Sequence, residues 1–258
     1  MLQKADDKDI AVGQSKIGGA PDMPPSFMWP MWKEKPLGFV AQFNLEEIAP
    51  FDLNKELPSS GLLSFFYTIE NLPWGSRDDK DAWRVFFWAH NRALKRGVNA
   101  QASQRNSLPS HSVEFDIEWQ HPDYGSPKIG FPDLSDGEFE QLNEKLQDSV
   151  NALYPNISQH HLLGYANSVQ DDVLLGVALR QSSEKRKLYE THREFAERIL
   201  LAEADQWRLL FQLDSHFVQE PRHFEWMWGD AGMIYFCIRN EDLKSENFDN
   251  VFLELQCH

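Results

Sequence analysis

The chain has 258 residues and a formal net charge of −15, from 40 acidic and 25 basic side chains. Hydrophobic residues make up 41% of it, which is enough for a packed core and excludes wholesale disorder. This negative charge disfavours direct binding to nucleic acid or anionic lipid, and it favours basic proteins as partners.

The amino-terminal third predicts three strands, because apolar runs of strand length are bounded by glycine and proline. These runs are Pro36–Phe43, Gly61–Tyr67 and Trp83–Trp88. After the first of them, Asn44 with Glu47 three residues later has the pattern of a helix capping box. We therefore expect a short helical turn between the first and second strands.

Residues 113–119 show a strict alternation of apolar and acidic side chains. In a strand, successive side chains point to opposite faces of the sheet. The pattern therefore predicts a strand with one face in the core and the other forming an acidic ladder. The apolar members are Val113, Phe115, Ile117 and Trp119, and the acidic members are Glu114, Asp116 and Glu118.

The second half predicts two main helices and three strands. Ser135 with Glu138 forms a capping box before an apolar stripe at helical spacing, and Pro155 ends that helix. A second helix is predicted from about residue 183 to 204. Short connections favour antiparallel pairing. The predicted strands are Trp207–Leu213, Gly232–Arg239 and Val251–Cys257.

The strand pattern of the first half is repeated in the second half. Three strands match in the same order, two of them at offsets of 170 and 171 residues. We predict an α+β fold made of duplicated antiparallel-sheet units, as one domain with halves at about 13–130 and 131–258. The three matched pairs are Phe39–Asn44 with Leu209–Asp214, Gly61–Phe65 with Gly232–Phe236, and Val85–Phe87 with Val251–Leu253, and a fainter match joins Ile17–Ala20 with Leu162–Tyr165.

These motifs resemble the YwqG-like family of bacterial proteins, a domain of unknown function, over almost the whole chain. The resemblance implies an α+β fold of two similar halves and implies no reaction. It also implies a location near toxin genes, since some members resemble immunity proteins. The residues that carry it are Ser15–Asp22, Trp29–Pro30, Gln42, Trp74–Gly75, Leu162–Tyr165, Gln212–Asp214, Trp228–Gly232 and Tyr235–Phe236.

No catalytic or metal-binding motif is legible in the sequence. There is no nucleophile elbow, no phosphate-binding glycine pattern and no metal-ligand spacing, since His216 and His223 lack a matching partner motif. We expect no cofactor and no metal. Cys237 and Cys257 lie in apolar runs and are predicted to be free, buried thiols. With no signal-peptide pattern and no membrane span, the sequence predicts a cytoplasmic protein.

The leading hypothesis is a protein-binding module: an immunity protein that neutralises a basic toxin, such as a nuclease, by covering its active surface. Its acidic side chains would steer the partner, and Trp74 or Trp83 would anchor it. No direct contact with nucleic acid or membrane is expected, and the oligomeric state stays open. The predicted partner-binding residues are Trp74, Asp78, Asp79, Asp81, Glu114, Asp116, Glu118, Asp133 and Asp136.

The alternative hypothesis is a small-molecule-binding protein or enzyme with a cleft near Asp214 and Asp230. Two carboxylates across a cleft are the groups that acid–base chemistry uses. If the halves pair about a twofold axis, the repeated glutamines approach each other there. A purely structural interpretation, with the glutamines bonding to backbone and the aspartates in turns, is also open. The predicted ligand-binding residues are Gln42, Gln212, Asp214, Trp228 and Asp230.

Overall fold

A computed structural model describes residues 2–89, 93–97, 106–118, 120, 135–153, 159–181, 187, 191 and 193–258. Antiparallel strands and five helices form within these residues, which confirms the predicted α+β class. The strands are β1 (Leu2–Lys4), β2 (Lys16–Ile17), β3 (Asp22–Met23), β4 (Met31–Trp32), β5 (Lys35–Pro36), β6 (Gly38–Asn44), β7 (Leu62–Tyr67), β8 (Trp83–Trp88), β9 (Lys95–Arg96), β10 (His111–Val113), β11 (His161–Leu162), β12 (Trp207–Asp214), β13 (His216–Val218), β14 (His223–Trp226), β15 (Met233–Arg239) and β16 (Phe252–Gln256). The helices are α1 (Leu45–Ile48), α2 (Asp136–Leu153), α3 (Val173–Arg180), α4 (Arg193–Ala204) and α5 (Asn240–Lys244).

Two antiparallel sheets carry the fold, and they have the same internal order. The six-stranded sheet runs β1-β10-β2-β6-β7-β8, and the four-stranded sheet runs β11-β12-β15-β16. The strands β2, β6, β7 and β8 therefore correspond to β11, β12, β15 and β16. Both sheets even carry an irregularity at the same place, between Phe39 and Ala41 in β6 and between Leu209 and Phe211 in β12.

The turns that follow β2 and β11 also correspond. The Gly18 amide donates to Val40 O at 2.8 Å, and the Leu163 amide donates to Leu210 O at 3.1 Å. Both turns use backbone with positive φ, +66° at Gly18 and +58° at Leu163. The matched motifs of the sequence thus form matching hydrogen bonds in three dimensions.

The two sheets pack face to face through aromatic side chains. Phe65 of β7 and Phe236 of β15 have ring centroids 5.0 Å apart, and Phe211 of β12 lies 4.8 Å from Phe43 of β6. These rings belong to a single buried cluster that includes side chains from both sheets. Burial of aromatic area on this scale is the main force that holds the two sheets together.

Helices α3, α4 and α5 contact the second sheet, and α1 contacts β6 of the first sheet. At α2, the Ser135 amide donates to Glu138 Oε2 at 3.0 Å, as the capping box predicts. At α1, Asn44 caps the helix by accepting from the Glu46 amide, while the Glu47 carboxylate accepts from Ser15 instead. Helix α3, which contacts α4 and the second sheet, was not predicted.

The strand predicted over residues 113–119 is wrong. Regular pairing covers only β10, which ends at Val113, and residues 114–118 have no strand partner. The reason is that β1 and β2, the two neighbours of β10, offer only three and two residues for pairing. Ile117 of the predicted core face is accordingly 40% exposed. Trp119 lies outside the described residues.

Candidate functional site

The acidic loop after β7 is partly neutralised by its own neighbours. Asp79 accepts hydrogen bonds from the Ser76 amide and hydroxyl at 3.1 and 2.8 Å, and Asp81 forms an ion pair with Arg84. Asp78 is exposed and points into solvent. Trp74 is 44% exposed, so this loop offers one acidic and one aromatic contact to a partner.

Trp83 does not lie on this surface, and its proposed role as an anchor is wrong. Its side chain is buried in the core, where its ring packs on Phe252 and its Nε1 donates to Val251 O at 2.7 Å. Asp133 lies outside the described residues. Asp136 is the first residue of α2, and nothing is described of its side chain.

A second acidic surface combines carboxylates with exposed apolar side chains. Glu114 and Asp116 are exposed, and between and beside them lie Phe115 and Ile117. Phe115 contacts Phe51 of the loop after α1, with ring centroids 6.2 Å apart, and Leu53 in that loop is 73% exposed. We call Phe51, Leu53, Glu114, Asp116 and Ile117 the acidic–apolar patch. Glu118 beside it is half-buried and accepts from Gln120 Nε2 at 2.9 Å.

The repeated glutamines are completely buried, and each serves its own half. Gln42 accepts from the Asp22 amide and donates to Gln14 O and to Asp22 Oδ2 at 2.7 Å. Gln212 accepts from the Asn167 amide at 3.0 Å and donates to Gln159 O at 2.7 Å. Within the described residues the two amides share no partner, so the expected meeting of Gln42 and Gln212 at a common site is wrong.

The Asp214 region contains packed rather than open side chains. Trp228 is fully buried, and its Nε1 donates to Asp214 O at 3.3 Å. Asp230 is exposed, and its backbone oxygen accepts a hydrogen bond from the His258 amide at 3.1 Å. Burial raises the pKa of the Asp214 carboxyl to about 6.

A cavity of about 420 Å³ lies elsewhere, between β8, the start of β12 and the segment after α5. It is lined by charges of both signs, and Asp81 and Arg84 on its wall pair with each other. Neither Asp214 nor Asp230 reaches it. The cavity therefore gives no support to a cleft at the predicted ligand-binding residues.

The motif at residues 15–22 builds a buried polar network. The side chain of Lys16 is fully buried and donates to Asp7 Oδ1 at 2.7 Å and to Ala20 O. Burial alone would raise the pKa of Asp22, yet its hydrogen bonds outweigh burial and hold that pKa below its usual value. These bonds come from Arg96 Nε at 2.9 Å, the Gly13 amide at 2.9 Å and Gln42 Nε2 at 2.7 Å.

Two histidines and one glutamate meet where the β13–β14 hairpin leaves the second sheet. His111 comes from β10 of the first sheet, His216 from β13 and Glu225 from β14. One ligand-type atom from each lies within 4.8 Å of the others. His111 Nε2 is 2.8 Å from Glu225 Oε2, and His216 Nε2 is 3.9 Å from the same oxygen. We call these three side chains the His–Glu cluster.

Trp226 forms the floor of this cluster. The ring of His216 stacks on it at 4.7 Å, and the ring of His111 meets it edge-on at 5.2 Å. The indole Nε1 donates to Asp214 O at 2.8 Å, which fixes the plane of the ring. Behind His216 lies His160, whose Nδ1 accepts from the Asp214 amide, and burial lowers the pKa of His160 to about 3.

A family model described as a domain of unknown function (DUF1963) matches residues 15–257, almost all of the chain. The chain belongs to the DUF1963 family. No curated protein matches it. In this DUF1963 chain, none of the helices within the described residues has both the length and the apolar composition that crossing a bilayer needs.

The His–Glu cluster of this DUF1963 protein is the group of side chains that sequence reasoning missed. His111 is far from His216 in the chain, and the two approach only because β10 and the hairpin lie side by side in the fold. His216 and Glu225 are joined by the two-stranded pairing of β13 with β14. A sequence prediction of the β13–β14 hairpin would have placed His216 near Glu225. Nothing in the spacing of residues along the sequence indicates that His111 joins them.

Proposed function

We propose that this protein is a cytoplasmic protein-binding module, an immunity protein of the YwqG-like type that neutralises a basic toxin. The proposal follows from charge and from the lack of a legible catalytic pattern in the sequence. A basic toxin, such as a nuclease, has a cationic active surface that an acidic protein can cover without any chemistry.

The acidic–apolar patch is the observation that carries this proposal. Interfaces gain residence time from apolar anchors and gain association rate from complementary charge. Leu53 and Ile117 supply exposed apolar contacts, and Glu114 and Asp116 supply charge at their border. Trp74 with Asp78 repeats the combination of one exposed ring and one exposed carboxylate on a smaller scale.

The test is co-expression with the product of the adjacent toxin-like gene, followed by size-exclusion chromatography and calorimetry at low and high salt. We expect a co-eluting complex whose Kd rises with salt, because charge steers the association. The double variant Glu114→Gln/Asp116→Asn should weaken binding by about tenfold, and Leu53→Ser should shorten the lifetime of the complex.

The matched control is Glu241→Gln/Asp249→Asn, which removes two exposed carboxylates around α5 and leaves the net charge equal to that of the first double variant. It should bind like the wild type. Equal losses of binding affinity in the two double variants would show that net charge determines binding and that the acidic–apolar patch does not. No complex at low salt, with every neighbouring gene product harmless when expressed alone, would refute the proposed function.

A second function has one observation in its favour: ligand binding in a cleft near Asp214 and Asp230. The half-buried Asp214 carboxyl, with its raised pKa, is the group that would respond to a bound ligand. A thermal-shift screen of metabolites tests it, since a ligand bound only by the folded state raises Tm. We expect Asp214→Asn to abolish any such shift, and a flat screen removes this function.

A further inference from the structure

We propose that His111, His216 and Glu225 bind one divalent transition-metal ion, which ties the β13–β14 hairpin to the first sheet. Two imidazoles and one carboxylate are a donor set that suits zinc and the neighbouring transition metals. The inference does not depend on the proposed function, because it concerns side chains outside the acidic–apolar patch.

The distances within the His–Glu cluster match the demands of such an ion. Metal–ligand bonds of 2.0–2.2 Å in a tetrahedral site place ligand atoms about 3.3 Å apart. The observed separations from Glu225 Oε2, 2.8 Å to His111 Nε2 and 3.9 Å to His216 Nε2, lie on either side of that value. The ligand atoms of all three side chains lie within 4.8 Å of one another, so the side chains would draw together around the ion.

The carboxylate of Glu225 supplies an independent observation. Its side chain is only 3% exposed, and its Oε2 is buried without a hydrogen bond. Although that oxygen lies 2.8 Å from His111 Nε2, the two groups are not aligned for a hydrogen bond. A buried carboxylate oxygen without a donor costs stability. A cation placed between the two imidazoles removes this cost.

Neighbouring groups hold the side chains of the cluster in the orientation that metal binding needs. His111 Nδ1 donates to Pro109 O at 3.2 Å, which leaves Nε2 facing the cluster. The stacking of His216 on Trp226 fixes the plane of its ring. Lys4 pairs with Glu225 Oε1 and leaves Oε2 as the oxygen that faces the histidines.

One side of the cluster is open to solvent. The side chain of His216 is 27% exposed, whereas those of His111 and Glu225 are buried. A bound ion would therefore have three protein ligands and one position for water, the composition of open zinc sites. Because the ligands come from β10 and from the hairpin, binding should also stabilise the fold.

The experiment is titration of the purified full-length protein with Zn²⁺ by calorimetry, with Tm measured in parallel. We expect one ion per chain and a higher Tm that a chelator reverses. His216→Phe keeps the stacked ring and removes the ligand, and Glu225→Gln keeps the shape and removes the charge. Each should lower the affinity at least about tenfold.

The matched control is His223→Gln, which removes an exposed histidine of the same hairpin outside the cluster. It should bind Zn²⁺ like the wild type. His216→Phe and Glu225→Gln serve as two independent readouts, so that one misfolded variant does not decide the result. No saturable 1:1 binding by the wild type, or equal affinity in the wild type and in both cluster variants, would overturn the inference.

Discussion

Phe65 and Phe236 occupy corresponding positions on β7 and β15, and their rings pack edge to face across the two sheets with centroids 5.0 Å apart. Both side chains are completely buried. Phe211 touches both, at 5.0 Å from Phe65 and 6.0 Å from Phe236. The two halves therefore share one aromatic core and should unfold together.

The first prediction tests this shared core. Phe65→Ala and Phe236→Ala should each lower the free energy of unfolding by about 3–5 kcal/mol, because each leaves a cavity in the packed interior. The double variant should lose less than the sum of the two, since both changes empty the same space. Urea unfolding of the four proteins measures the coupling, and strictly additive losses would contradict a common core.

The second prediction concerns the turn after β2. A Cβ on Gly18 would lie 2.0 Å from Pro109 O, and the backbone there has φ +66°. Gly18→Ala should therefore cost more than about 3 kcal/mol, from strain and collision together. Gly13 has φ +86° but open space around it, so Gly13→Ala should cost only about 1 kcal/mol. If Gly18→Ala and Gly13→Ala lower Tm by similar amounts in thermal melts, the collision of the added Cβ with Pro109 O is excluded.

The third prediction is a dependence of stability on pH that Glu254 causes. Burial raises the pKa of Glu254 to about 8, from 4.5, despite the Arg180 guanidinium at 2.8 Å. Between these pH values the unfolded chain has released the proton and the folded protein still holds it. Stability should therefore fall as pH rises, by on the order of 1.4 kcal/mol for each pH unit at most.

The variant Glu254→Gln lacks this titration and isolates its effect. Relative to the wild type, it should gain stability steadily as the pH is raised from 5 to 8. Glu241→Gln, an exposed position, should follow the wild-type curve. Chemical unfolding at several pH values measures the difference, and parallel curves for the wild type and Glu254→Gln would show that Glu254 titrates normally.

The fourth prediction follows from the proposed metal site. The Lys4 ammonium pairs with Glu225 and repels a cation bound beside it. Lys4→Gln should raise the affinity for Zn²⁺ by about threefold, a modest effect because Lys4 is solvent-exposed and screened. Lys8→Gln removes another exposed lysine, which pairs with Asp6, and should change nothing. Weaker binding by Lys4→Gln would contradict the assigned role of Glu225.

Much of the fold was predictable because its long strands are apolar runs between turn residues. Gly61–Tyr67 was predicted and Leu62–Tyr67 is observed, and β8 agrees in both bounds. Helix α3 was missed because Val173–Arg180 is apolar on nearly every side, so it shows no amphipathic stripe. The strand prediction for residues 114–118 failed although the pattern there is clear. Their apolar and acidic side chains alternate perfectly, but a strand cannot form where the neighbouring strands have ended.

The sites were less predictable than the fold. The repeat correctly singled out Gln42 and Gln212 as equivalent, but most of their partners are backbone groups of other segments, which no pattern of side chains reveals. The His–Glu cluster depends on a contact between β10 and a hairpin of the other half. Such contacts between distant parts of the chain follow from packing, and spacing along one sequence does not encode them.

The loop at Trp74 has a consequence for how this molecule meets other proteins. The Trp74 carbonyl oxygen accepts a hydrogen bond from the Leu255 amide at 3.3 Å, on the outer side of β16. The rim of the second sheet is thus already occupied by the chain's own backbone at this point. A partner polypeptide cannot pair with β16 there as an added strand, so recognition at this edge of the sheet has to proceed through side chains.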